Sequence, residues 1–136
     1  MRYFRFAVLG LASLLLLGAQ NAQAYTQFYT DFQPPDGEVI TGNVLNQFQQ
    51  DVTASSGCQM TSSAKNADYI LEVVSIVDDT GDNNSNDSSA YSVTLTDGNG
   101  QYISSVVGIC GSDKIISCGD NLYRDMLHDI PNNMSC

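Results

Sequence analysis

The 136-residue chain has no tryptophan, one histidine, three prolines and five lysine and arginine residues in all. Two of the five cations, Arg2 and Arg5, sit at the extreme amino end, so Lys65, Lys114 and Arg124 are left to face 15 carboxylates. Nucleic acids and anionic lipid surfaces need clustered Lys and Arg to neutralise phosphate, so this scarcity excludes them as partners. With no Cys-x-x-Cys and no histidine beside any cysteine, zinc and thiol-redox chemistry lack their ligands. A phosphate loop, a dinucleotide fingerprint, a haem attachment sequence and a Gly-x-Ser-x-Gly elbow are all absent as well.

A long hydrophobic run is also missing. The apolar stretch from Ala7 to Gly18, about a dozen residues, is too short to span a bilayer of about 30 Å. Preceded by Arg2 and Arg5 and followed by Ala22-Gln23-Ala24, it has the three-part form of a secretory signal peptide, with cleavage expected after Ala24. Residue 25 is tyrosine, so the cleavage site does not suggest a lipidated cysteine. Export to the periplasm or beyond follows, and no membrane span is expected in what remains.

What is present fits a small exported domain. Hydrophobic residues make up 43% of the chain and charged residues 15%, enough for one core and too apolar for a disordered acidic tail. Cys58, Cys110, Cys118 and Cys136 form an even set in an exported chain, which reads as two disulfides. Of the three possible pairings, Cys110–Cys118 with Cys58–Cys136 is preferred, because the first closes a short loop and the second ties down the carboxyl end. Oxidised in this way, none of the four is a nucleophile. The sequons at Asn83, Asn86 and Asn133 matter only in a host that glycosylates exported chains.

Along the mature chain, residues 25–38 read as an extended aromatic arm ended by the turn signal Pro34-Pro35-Asp36-Gly37. Val44, Leu45, Phe48 and Val52 make one helical stripe between Thr41 and Ser55, with Thr41 or Asn43 as cap. Residues 67–77 are apolar on both faces and β-branched, which predicts a strand well inside a sheet. A shorter strand near Cys58 to Ser62 is expected to pair with the start of it. Tyr91, Val93 and Leu95 alternate with Ser92, Thr94 and Thr96, and Asp97-Gly98-Asn99-Gly100 then predicts a hairpin into Gln101 to Ile109. The Ser117-Cys118-Gly119-Asp120 box opens a second helix carrying Leu122, Tyr123, Met126, Leu127 and Ile130, ended by Pro131. The expected fold is a two-layer α+β domain over residues 39–136. In it an antiparallel sheet of three to four strands has one helix before it and one after it on a single face.

Three functions compete. The first is a non-enzymatic, effector-like or inhibitor-like binding protein that presents Tyr25, Phe28, Tyr29 and Phe32 to a protein or glycan partner. Its acidity favours a basic target. The second is a small hydrolase using Glu72 or His128 with nearby aspartates, against which stands the absence of any complete catalytic constellation. The third is a weak calcium site in the loop holding Asp78, Asp79, Asp82, Asn84, Asn86 and Asp87. This loop departs from an EF-hand at its sixth and twelfth positions, Asp87 and Val93. No other cofactor is implied.

Overall fold

A computed structural model describes residues 25–78, 87–130 and 136. The proposed leader, and Asp79, Asp82, Asn84 and Asn86 of the proposed calcium loop, lie outside the described residues. Five strands and two long helices follow in the order β1 (Thr26–Phe32), α1 (Ile40–Ala54), β2 (Cys58–Met60), β3 (Tyr69–Asp78), β4 (Ser88–Asp97), β5 (Tyr102–Gly111) and α2 (Ile115–Asp129). One turn of 3₁₀ helix, Ala64–Asn66, lies between β2 and β3.

The strands form one mixed sheet in the order β2-β1-β3-β4-β5. The helix–sheet–helix pattern is as the residue spacing indicates, but an antiparallel sheet of three to four strands is not what forms. Residues 26–32 are no detached arm. They enter the sheet as β1, parallel to β2 on one side and to β3 on the other. The short strand at Cys58 accordingly pairs with β1 and not with β3. This correction has a simple cause: α1 is a crossover connection that returns the chain parallel to β1, and a short strand next to β1 is the nearest place to land.

Alternation along the strands decides which side chains the helices cover. Phe28, Leu71, Val73, Val93 and Leu95 are buried on the inner face together with Val44, Leu45, Phe48 and Val52 of α1 and Leu122 and Met126 of α2. Phe28 stacks on Tyr69 at a centroid separation of 5.5 Å and meets Phe48 edge-on at 6.3 Å. The helices touch closely at Gly119, where a β-carbon would collide with Gln47. The β4–β5 turn forms as its residues predict: Gly100 takes φ +81°, and one carboxylate oxygen of Asp97 accepts the N–H groups of Asn99 and Gln101.

The helix starts differ from expectation. Neither Thr41 nor Asn43 caps α1, and the Ser117 box does not open α2; the flanking positions are Val39 and Lys114, neither giving a side-chain cap. At α1 the role passes to Glu38, whose Oε1 accepts the Thr41 N–H at 2.6 Å. A carboxylate there satisfies one free N–H and faces the positive end of the helix dipole. Both disulfides pair as preferred, Cys58–Cys136 and Cys110–Cys118.

Candidate functional site

Strand alternation divides the four aromatic candidates. Phe28 is fully buried in the core, and Phe32 is partly buried against it. Tyr29 pairs in register with Ile70 on the opposite, outer face, while Tyr25 precedes β1 and is 47% exposed. There is therefore no continuous aromatic strip, and Phe28 is removed from the contact set because the period of two turns it inward.

The hydrolase candidates are likewise kept apart. Glu72 is exposed on the outer face of the central strand, whereas His128 lies on α2, which covers the inner face. The His128 side chain is 88% exposed, and its Nδ1 lies 3.2 Å from Asp129 Oδ1. That contact holds the Asp129 carboxyl below its ordinary range by hydrogen bonding. Among the described residues no serine, threonine or cysteine is hydrogen-bonded to the imidazole, so no nucleophile–base pair is assembled there. Of the calcium candidates, Asp78 ends β3 and Asp87 is exposed before β4. No group of three or more metal-ligating side chains occurs among the described residues.

Two polar clusters escaped the sequence reading. Glu38 is buried, with Oε2 accepting from Ser89 Oγ at 2.7 Å; Ser89 in turn lies 2.8 Å from Thr41 Oγ1. Since the Ser89 proton goes to the carboxylate, the Thr41 hydroxyl donates to Ser89. Every member is satisfied, so the cluster locks α1 to the sheet and offers no free group for chemistry. Between the helices, Gln47 Nε2 donates to Asp51 Oδ1 at 3.1 Å and to Asp120 Oδ1 at 3.2 Å. Burial, and then the neighbouring Asp120 charge, push the Asp51 carboxyl above its ordinary value.

The outer face of the sheet carries the strongest functional feature. No helix covers it among the described residues, and its cross-strand rows are set by register. One row runs Ile76, Ala90, Ile109 and the next Val74, Ser92, Val107. Val74, Ile76, Val107 and Ile109 are exposed by 68, 70, 78 and 75% respectively. A third row holds Asp31, Glu72, Thr94 and Ser105, and a fourth Tyr29, Ile70, Thr96 and Tyr102. The face thus has an apolar end, an acidic middle at its β1 side, and a mixed aromatic end. Its apolar half was visible in the two-faced hydrophobicity of β3, but that pattern reads equally as burial on both sides.

No family model matches the chain, and no curated protein matches it. Solved structures give distant similarities in chain path. A minor lipoprotein from Acinetobacter baumannii is 14% identical, with 81% of this chain and 96% of that one covered and a TM-score of 0.43. A hypothetical protein from Chlamydia trachomatis is 7% identical over 77% of this chain and 95% of the other, with a TM-score of 0.40. An uncharacterized lipoprotein B from Nitrosomonas europaea is 10% identical, covering 77% and 76% of the two chains, with a TM-score of 0.34. Among the described residues no helix is long and apolar enough to cross a membrane.

Proposed function

We propose that the chain is a small, exported, non-enzymatic binding protein that meets another macromolecule through the open face of its sheet. The observation that carries this reading is the exposure of Val74, Ile76, Val107 and Ile109 as neighbours on two adjacent rows. They flank Ala90 and Ser92 of β4 and leave the apolar end of the face in water, as interaction sites do. The two disulfides support an oxidising compartment outside the cytosol. An inhibitor-like or effector role is the narrower form of the same reading.

A photo-cross-linking side chain at Val107, compared with one at exposed Asn121 on α2, tests this in the producing cell. Adducts from the sheet position and none from the helix position are expected. Adducts from Asn121 alone, or none from either position, would remove the reading.

A further inference from the structure

Resting on that reading, we infer that the partner contributes an extended polypeptide segment in which a basic side chain is followed, at every second position, by apolar ones. It docks in the notch where β1 ends beside β3. The β1–β3 register runs from Phe28↔Tyr69 to Phe32↔Val73 and stops there, while β3 continues to Asp78 with β4 as its neighbour. From Val74 onward the β1 side of β3 therefore has no strand beside it among the described residues. A free strand edge is a template for adding another strand. The place is also concave: Asp31, Gln33, Pro35, Glu72 and Val74 help to line a depression of about 450 Å³.

Charge and pattern specify the occupant. Asp31 and Glu72 are register partners on adjacent strands, both exposed, both on the outer face. Like charges set opposite each other cost stability, and no cation lies within salt-bridge distance of either among the described residues. Two residues further along β3, about 7 Å per step of two, come Val74 and then Ile76. Asp31 of β1 fills the lane beside Glu72, so an added strand begins opposite Val74: a lysine or arginine at its leading end meets the acidic pair, and apolar side chains at every second position after it meet Val74 and Ile76.

Among the described residues, a second copy of this chain does not supply that pattern. Lys65 lies in the 3₁₀ turn, Lys114 in the tight turn between β5 and α2, and Arg124 on α2. None belongs to an extended segment of this kind.

The test uses the protein purified after export and labelled peptides of about ten residues, long enough to span β3. Each has serine at the intervening positions and, at every second position, a lysine followed by valines in the first, a glutamate followed by valines in the second, and a lysine followed by serines in the third. Fluorescence polarisation should show binding of the lysine–valine peptide and much weaker binding of the other two. Asp31→Asn with Glu72→Gln should weaken it about fivefold, in the range of two exposed ion pairs. Asp113→Asn with Asp125→Asn, the same charge change elsewhere, should weaken it less than twofold. Thermal melts of both variants confirm folding.

Equal losses in the two charge variants, or equal binding of the lysine–serine peptide, would overturn the inference as mere attraction to an acidic protein. So would cross-linking from Val107 that is undiminished in the Asp31→Asn, Glu72→Gln variant, although the surface reading would then stand. Light scattering that shows a dimer dispersed by Val74→Ser would give the face to a second copy and equally overturn it.

Discussion

The two faces of the central strand are made of the same kinds of residue and have opposite fates. Leu71 and Val73 point inward and are buried, whereas Val74 and Ile76 point outward and are exposed by about two-thirds or more. What separates them is not hydrophobicity but the presence of a second layer: α1 and α2 both lie on the inner side. Apolar character in a strand therefore reports what a face can bury and not whether anything covers it. Where cover is missing, the residue is retained at a cost in solubility, which is the physical reason to read the outer face as a surface kept for contact.

The contrast can be broken most forcefully from the inner side. Phe48→Ala empties a fully buried ring position between α1, Phe28 and Tyr123 and should cost about 3–5 kcal/mol in chemical denaturation. A loss below about 1 kcal/mol would mean that the inner core is not packed as described.

Next in size, Ser89→Ala removes the partner of Glu38 Oε2 and of the Thr41 hydroxyl, while Glu38 Oε1 keeps the Thr41 N–H. It should cost about 1–3 kcal/mol by the same measurement.

A smaller effect with a definite sign is expected at Asp51. Its carboxyl is raised above the ordinary value of 3.8 in the folded chain, so the protonated form is the better accommodated one. The associated stability is complete below that ordinary value and is lost as pH rises through the folded value. Asp51→Asn should therefore melt higher than the parent protein at neutral pH, with the gap closing as the pH falls to about 3. An Asn variant that melts lower at pH 7 would contradict the burial of this group between the helices.

The smallest effect belongs to the outer face. Val107→Ser should change stability by less than about 0.5 kcal/mol while abolishing cross-linking from neighbouring outer-face positions. A loss comparable to that of Phe48→Ala would show that the outer patch is core after all.

Much of this architecture was legible in local spacing. The i, i+4, i+8 stripe of Val44, Phe48 and Val52 located α1, and the clean alternation of Tyr91, Val93 and Leu95 located β4 with its correct buried side. The disulfide pairing is the one preferred from the short Cys110–Cys118 loop and the need to tie down the carboxyl end. The parallel seat of β1 did not, because it depends on a partner 41 positions away, Phe28 with Tyr69, and no local pattern encodes that distance. The same failure misplaced the aromatic candidates: Phe28 and Phe32, offered as contact residues, share the face that the helices cover. Glu38 was hidden for a different reason. A glutamate after Pro-Asp-Gly reads as surface, and only the approach of Ser89, 51 residues later, makes it an interior hydrogen-bonded group. The candidate notch could not be seen either, since it exists only because the β1 pairing ends at Val73 while β3 runs five residues further, to Asp78.

That late-found seat of β1 also governs the order of assembly. The β3–β4–β5 meander is built from contacts close in the chain, whereas β1 must wait for β3 to exist and then close a loop that contains the whole of α1 and β2. Non-local parallel pairing of this kind is entropically late. Under the export proposed above, an opening strand that settles last would delay compaction until the remainder has crossed.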